Sequence, residues 1–204
     1  RTVAAMPTSS IPDEVDDFNT ADGGGAFITG LSGPDTSLER AGIIGGDIIT
    51  SFDGQTVRDE DAMRRILAGV PPGKPVEVIY IHDGETKKTM LTTIGKGEFR
   101  GMAPIDTRPG GRAFLGVDDL ERVRLPNTNL YGVEIGDVNR NRPADLAGLK
   151  QGDIIIQFGE KQIRTPGDLR LRIYEAIPNG IVNIILMRDG QRMEIPVKMG
   201  RNRD

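Results

Sequence analysis

A nine-residue stretch of this chain occurs twice in nearly the same form. Residues 41–49 read AGIIGGDII, residues 147–155 read AGLKQGDII, and a phenylalanine stands three residues after each copy, at Phe52 and Phe158. A repeat at fixed separation sets the size of the folding unit. The unit here is about 85 to 95 residues, the size of a small domain, so we predict two domains rather than a solenoid.

The repeated residues specify backbone geometry rather than reaction chemistry. Gly42 and Gly148 follow a short helical segment, where a helix commonly ends in a left-handed residue that disfavours a Cβ atom. The next glycine and the aspartate predict a tight turn in which a carboxylate accepts a backbone N–H. We therefore interpret Asp47 and Asp153 as residues that stabilise the turn. The apolar run after each aspartate is short enough for a buried strand.

The repeated stretch resembles the motif A-G-L-x-x-G-D-x-I of the PDZ family. The match between the two copies continues without a gap to Gly84, and it pairs Met63 with Leu169. The resemblance implies an α+β fold with two PDZ-like domains. Each would be a small, partly open β-barrel or sandwich of five to six strands with two helices.

Glycine-rich and polar segments separate the two predicted domains from each other and from the chain ends. Residues 96–112 contain four glycines and two prolines without hydrophobic periodicity, which is typical of a linker. The predicted organisation is a tail at 1–8, a domain at 9–95, a linker at 96–112, a domain at 113–200 and a tail at 201–204.

Composition argues against several classes of function. The chain has no cysteine, which excludes disulfides and zinc–thiolate sites. Aromatic residues make up 4% of the chain, too few for the aromatic and basic surface typical of nucleic-acid binding. No apolar run approaches the roughly 20 residues that span a bilayer. We predict no nucleic-acid partner, no cofactor, no metal site and no membrane segment in this chain.

The second copy contains a match to the ligand loop of PDZ domains, which has the form x-[LI]-G-[FVIL]. In that family the C-terminal segment of a ligand adds as a strand to the sheet edge, and loop N–H groups hold its carboxylate. The resemblance predicts a protein or peptide ligand with an apolar C-terminus. The alternative is that the same side chains are simply core. The predicted site residues are Phe114, Leu115, Gly116, Val117, Leu169 and Ile173.

The first copy departs from the family at this loop. The nearest candidate is Ser9-Ser10-Ile11-Pro12, which lacks the glycine and in which the proline removes a backbone donor. It resembles the corresponding loop of PDZ domains on some bacterial zinc aminopeptidases. Whether this domain binds peptide stays open at this point. The candidate residues are Ser10 and Ile11 on the loop and Met63 and Leu67 on the helix.

The residue inventory argues against an enzyme. The only histidine is His82, in a predicted hairpin turn where the other copy has Arg188, and we expect it to be solvated. Residues 107–204 contain no serine, histidine or cysteine. A serine or cysteine nucleophile normally needs a positioned base, so a self-contained hydrolase is disfavoured and no catalytic residue is predicted.

The order of the predicted elements resembles the circularly permuted PDZ domains of bacterial HtrA-like and other extracytoplasmic proteases. The resemblance implies a substrate-recognition or regulatory module of a larger protease, in the periplasm or another extracytoplasmic compartment. The chain opens at Arg1 without a signal peptide, so we expect a piece of a longer protein whose protease domain is missing. The alternative hypothesis is a structural spacer or assembly module with occluded or degenerate grooves.

Overall fold

The structure is a computed structural model that describes residues 9–99, 101 and 110–202. The chain forms two compact units, residues 1–101 and 102–204, here called the first and second domain. The predicted tail at 1–8 and much of the predicted linker lie outside the described residues. The predicted fold class is confirmed, because each unit combines an open sheet of six strands with a few short helices.

The first domain is built on one antiparallel sheet. Its strand order is β1-β2-β3-β5-β6, with β4 paired to β3, so β1 lies at one edge. The elements are α1 (Ile11–Glu14), β1 (Phe18–Thr20), β2 (Ala26–Ile28), α2 (Ser37–Arg40), β3 (Ile48–Phe52), β4 (Gln55–Thr56), α3 (Glu60–Ala68), β5 (Pro75–His82) and β6 (Glu85–Thr92).

The second domain repeats this arrangement. Its main sheet has the order β13-β12-β10-β9-β8, with β11 paired to β10, so β8 lies at an edge. The elements are β7 (Arg112–Phe114), β8 (Val117–Arg124), β9 (Tyr131–Val138), α4 (Pro143–Ala147), β10 (Ile154–Phe158), β11 (Lys161–Gln162), α5 (Pro166–Glu175), β12 (Ile181–Arg188), β13 (Gln191–Lys198) and β14 (Gly200–Asn202).

The repeated motif forms the same turn in both domains. Gly42 and Gly148 have φ angles of 86° and 88°, in the left-handed region where glycine avoids the Cβ penalty. The Asp47 carboxylate accepts the N–H of Ile44 at 2.9 Å, and the Asp153 carboxylate accepts that of Lys150 at 2.8 Å. The predicted turn-stabilising role of the two aspartates is confirmed.

The strand after each turn lies at the centre of its sheet and carries the core. Ile49 and Phe52 of β3 are fully buried, and Ile155 and Phe158 occupy the same places in β10. Each of these strands pairs with a hairpin strand on one side and, on the other, with the strand next to the edge strand β1 or β8. The core motif therefore fixes where the edge strand lies.

His82 is not solvated, contrary to expectation. Its side chain is 15% exposed, and its Nδ1 atom lies 2.7 Å from an Asp47 carboxylate oxygen. Arg188 makes the equivalent ion pair with Asp153, with Nε and Oδ1 also 2.7 Å apart. The expectation was wrong because the end of the β5–β6 hairpin approaches the turn formed by the repeated motif. The local sequence of the hairpin turn does not reveal this tertiary contact.

The second domain extends beyond its predicted bounds of 113–200. Arg112, assigned to the linker, pairs with Asn202, assigned to the tail, in an antiparallel ladder formed by β7 and β14. Strands of three residues carry too short a pattern to be recognised from sequence. The ladder also places Phe114 opposite Gly200, where an added Cβ would lie 2.3 Å from the phenylalanine ring.

Candidate functional site

One edge of the main sheet in the second domain is a long strand beside a helix. β8 spans eight residues and pairs with β9 along its inner side. Because β8 ends the strand order of its sheet, alternate backbone N–H and C=O groups on its outer side are available to an added strand. Helix α5 packs against β7 and β8, so the outer side of β8 and the helix form the two walls of a groove.

One end of this groove is the loop between β7 and β8. The carbonyl of Leu115 accepts the N–H of Ala144 at 2.9 Å, and the carbonyl of Gly116 accepts the N–H of Asn139 at 3.0 Å. Within residues 9–99, 101 and 110–202, no protein acceptor takes the N–H of Leu115 or Gly116. Two neighbouring donors thus remain for an anion at this end.

Gly116 is required by the shape of that loop. Its φ angle is 83°, and a Cβ atom there would lie 2.4 Å from the Cβ of Arg142. Any other L-residue would face backbone strain and this close contact together. The glycine therefore lets the chain turn so that both carbonyls point into the domain.

A cavity of about 480 Å³ lies beside the loop. That volume is in the range of small-ligand pockets, and partly buried Phe114, Val117 and Ile173 contribute to its lining. The cavity brings together five of the six residues predicted for this site. They are Phe114, Leu115, Gly116, Val117 and Ile173.

Leu169 is the exception. It has no solvent exposure and belongs to the buried core, whereas Ile173, one helical turn later, packs at the margin of that core. Leu115 is 1% exposed, so its side chain also belongs to the core and its contribution to the loop is its backbone. The core interpretation therefore holds for these two side chains. The placement of Leu169 in the pocket was wrong because helical spacing identifies a buried face but not the depth of each residue along it.

Two arginines at the pocket were not predicted. Arg112 comes from β7, and the Arg142 guanidinium, just before α4, lies 5.5 Å from the centre of the Phe114 ring. They add positive charge where the two backbone donors are unpaired. Because Arg142 lies 26 positions beyond Gly116 in sequence, the loop motif gave no signal for it.

The start of α5 is held by a buried carboxylate. Asp168 accepts the N–H groups of Arg164 and Thr165 at 3.0 and 3.1 Å and completes a capping box with Thr165. Desolvation by burial raises the pKa of Asp168 to about 7, against the lowering effect of these hydrogen bonds and of Arg172. This arrangement orients the helical wall of the groove.

The corresponding region of the first domain has a different shape. The bridge between Val15 and Leu31 matches the pairing of Val117 with Val138, so helix α1 stands where the second domain has its loop. A cavity of about 430 Å³ lies beside it, lined in part by Val15, Phe18, Arg64 and Leu67.

Only Leu67 of the four residues predicted for the first site lines this cavity. Ser10, Ile11 and Met63 are fully buried, because the segment predicted as a loop folds into helix α1 and packs into the domain. The assignment of Ser10 and Ile11 to the ligand loop was therefore wrong. Met63 is a core residue, as is its counterpart Leu169.

The counterparts of Leu115 and Gly116 in the first domain are Asp13 and Glu14, and their N–H groups are already used. The N–H of Ser10 bonds to Ile94, those of Asp13 and Glu14 bond to the Ser10 carbonyl, and Pro12 has none. The buried Glu14 carboxylate accepts the N–H and the hydroxyl of Ser37, each at 2.7 Å. The first domain thus offers no match to the unpaired donors of Leu115 and Gly116.

Two other kinds of feature, a metal site and a membrane-spanning helix, are not found in the described part of the chain. Among residues 9–99, 101 and 110–202, no three histidine, cysteine, aspartate or glutamate side chains are grouped so as to hold a metal ion. No helix in the same ranges is long and apolar enough to cross a membrane.

Comparison with known proteins agrees with this architecture. The family model described as PDZ domain matches residues 33–93 and 112–199. The chain belongs to the PDZ domain family. The two matches cover most of both domains, and each includes one copy of the repeated motif.

The curated relatives are much longer than this chain. A probable periplasmic serine endoprotease DegP-like from Halomonas elongata is 31% identical over 87% of this chain and 38% of its own length. A probable periplasmic serine protease do/HhoA-like from Haemophilus influenzae is 29% identical over 84% of this chain and 35% of its own length. The chain therefore spans little more than a third of the length of these relatives.

One solved structure that aligns with most of this chain is an HtrA-type protease. The HtrA-type protease AlgW with a decapeptide aligns with a TM-score of 0.42 and 16% identity. The alignment covers 98% of this chain and 64% of that one.

Proposed function

We propose that this chain is a tandem PDZ module whose second domain binds the C-terminal or extended segment of a protein by β-strand addition. One observation carries the proposal: the N–H groups of Leu115 and Gly116 lack a protein acceptor in the described residues, and they end the open edge of β8. A peptide strand on that edge brings its terminal carboxylate to the two donors.

The pocket beside the loop supports an apolar last residue in the ligand. Phe114, Val117 and Ile173 offer apolar surface, and Arg112 and Arg142 lie near the expected carboxylate. A single groove buries little area and must order a flexible peptide, so the dissociation constant should be in the micromolar range, about −8 kcal/mol at ~1 μM.

The cellular setting is proposed from the relatives. Both curated relatives named above are described as periplasmic serine proteases, and the chain matches little more than a third of each. We assign no catalytic step to the PDZ domains and place catalysis in another part of a longer bacterial protein. In that protein the module would recognise substrates or regulate the protease in an extracytoplasmic compartment.

A spacer role has support in the first domain alone. The N–H groups of Asp13 and Glu14 bond to the Ser10 carbonyl in helix α1, and Arg64 lies across the groove in contact with Asp17. While its groove is covered in this way, the domain can serve as a connection between other parts of a protein. The second domain shows no equivalent helix in its described residues, 110–202.

An amide-detected NMR titration of the whole chain tests the proposal. The probes are peptides with apolar C-terminal residues, each as a free acid and as a C-terminal amide. We expect the free acids to shift the signals of Leu115, Gly116 and α5, and the amides to bind at least about tenfold more weakly because a charged acceptor is lost.

A matched pair of variants separates the pocket from the rest of the helix region. Ile173→Ala removes apolar lining and should weaken binding of the free acid about tenfold. Ile177→Ala is the control, because Ile177 is 75% exposed and is not among the residues that line the cavity. Equal affinity for acid and amide, or an unchanged affinity in Ile173→Ala, contradicts the proposal.

A further inference from the structure

In the edge strand β1 of the first domain, Phe18 is the residue whose backbone N–H and C=O point away from the rest of the sheet. The N–H of Thr29 bonds to the carbonyl of Asp17 at 3.1 Å, and Asn19 pairs with Phe27. Because inward and outward groups alternate along an antiparallel strand, the N–H and C=O of Phe18 point away from β2. These are the groups that a peptide strand added to β1 needs.

Both groups of Phe18 are already engaged within the domain. The Phe18 N–H donates to an Asp17 carboxylate oxygen at 2.9 Å, and Arg64 Nη2 approaches the Phe18 carbonyl at 3.5 Å. The same Arg64 nitrogen donates to the same Asp17 oxygen at 2.8 Å. An ion pair from α3 to the edge strand therefore covers the ligand edge, and both of its residues line the cavity of this groove.

We propose that the Asp17–Arg64 pair is an intramolecular latch on a second peptide site, and that an extended peptide segment binds the first groove by displacing it. The proposal rests on the proposed function only in taking strand addition as the mode of binding. Val15, Phe18 and Leu67 supply the apolar floor of the site.

The ligand of this site differs from that of the second domain. Helix α1 uses the backbone donors that would hold a terminal carboxylate, and the buried Glu14 carboxylate occupies the adjacent space. The first groove therefore suits an extended segment from within a chain, and its affinity should not depend on a free C-terminus.

The second domain provides a comparison without a latch. By strand register and by the repeat, Asp119 and Arg170 correspond to Asp17 and Arg64. Asp119 has a φ angle of 51°, and the second-domain residues 110–202 record no ion pair between these two side chains. The same residue types thus leave the edge of β8 uncovered because the backbone at Asp119 turns the other way.

The latch should weaken binding moderately rather than abolish it. The Arg64 and Asp17 side chains are 49% and 59% exposed, and ion pairs of this exposure contribute little in water. A peptide that must open such a pair before binding loses affinity by about fivefold.

The test compares Arg64→Ala and Asp17→Ala with Arg65→Ala in the whole chain. Arg65 is the exposed neighbour on α3 and lies at a different cavity, beside Gln55 and Thr56. The probes are the same free-acid and amide peptides, followed at the amide signals of Phe18 and Leu67. In both latch variants we expect about fivefold tighter binding than in the wild type, equal for acid and amide, and no change in Arg65→Ala.

Salt provides a measurement that needs no substitution. At about 1 M salt the Debye length is about 3 Å, so the exposed pair weakens and the first groove of the wild type should gain affinity. The gain should be absent in Arg64→Ala. The latch is rejected when both latch variants stay within about twofold of Arg65→Ala.

The second-domain signals in the same samples separate this proposal from the proposed function. A response of Leu115 and Gly116 without any gain in the first groove overturns the latch alone. A gain in the first groove without a response at Leu115 overturns the second-domain assignment and leaves the latch supported. No response in either domain of any variant rejects both.

Discussion

The two domains differ at their ligand edges far more than in their cores. The second has an eight-residue edge strand and a loop with two unpaired donors, and the first has a three-residue edge strand beside a four-residue helix. Both keep the glycine, the turn aspartate and the buried phenylalanine of the repeated motif. The motif therefore specifies the fold, while the segments around it, before and after it in sequence, determine whether the edge strand is open or covered.

The shared core gives the largest expected effect. Met63 and Leu169 are equivalent, and neither has solvent exposure. Met63→Ala and Leu169→Ala should each lower the free energy of unfolding of their own domain by about 2–5 kcal/mol, since each removes buried atoms and leaves a cavity. Denaturant titrations followed at the amide signals of each domain measure the two effects separately.

Ile177→Ala is the control for these two variants. Its side chain is 75% exposed, so its cost should stay within about 0.5 kcal/mol. The two cores are not equivalent if one core variant lowers the free energy of unfolding of its own domain by less than about 1 kcal/mol while the other variant strongly destabilises its own domain.

The turns formed by the repeated motif are tied to their hairpins by different side chains. His82 pairs with Asp47 in the first domain, where the second domain uses Arg188, which is charged at every relevant pH. Desolvation by burial raises the pKa of Asp47 to about 6, with the Ile44 N–H and His82 acting in the opposite direction. Asp83 also faces the histidine, at 3.6 Å, and Tyr80 packs edge-on against its ring.

This difference predicts a pH dependence in the first domain. A carboxyl group with a raised pKa binds more protons in the folded state, so its contribution to stability is largest at low pH and falls as pH rises. The contribution of Asp47 to stability should fall between about pH 4 and pH 6, that is, between the ordinary pKa of 3.8 and the raised pKa of about 6. The loss attributable to Asp47 should be about 2–3 kcal/mol, at roughly 1.4 kcal/mol per pKa unit.

The measurement is an NMR-monitored denaturant titration of the first domain at several pH values, with Asp47→Asn as the reference without a titrating group. His82→Arg should reduce the fall, because a permanent cation favours the ionised carboxylate. The assignment of the pH dependence to Asp47 is wrong if the free energy of unfolding of the first domain varies with pH in the same way in the wild type and in Asp47→Asn between about pH 4 and 6.

The sequence was sufficient for the fold because the fold depends on local signals. Helix α3 begins directly after Asp59, a typical N-cap residue, and the β12–β13 hairpin turns at the Asp-Gly pair between Arg188 and Gln191. Glycines at left-handed positions and alternating apolar residues are properties of a few neighbouring residues. They can be recognised without knowing what packs against them.

The sites were less predictable because they depend on contacts between distant segments. The loop from Phe114 to Val117 was found by its motif, but Arg142 reaches the pocket from beyond β9. Helix α1 was missed because four residues beginning at Ile11-Pro12 carry no helical period. The ion pair between Asp17 and Arg64 joins residues 47 positions apart. No sequence pattern connects its two residues.

Arg170→Ala has the smallest expected effect and tests directly whether the edge strands β1 and β8 differ. Arg170 stands where Arg64 stands in the first domain, but it is exposed and forms no recorded ion pair with Asp119 in the described residues 110–202. Its removal should therefore change the affinity of the second groove by less than about twofold, whereas Arg64→Ala changes that of the first by about fivefold. NMR titration of both variants with one peptide gives the two ratios under the same conditions. An increase of fivefold in both domains would mean that the second edge is covered in solution as well, and the difference at Asp119 would then have no consequence for binding.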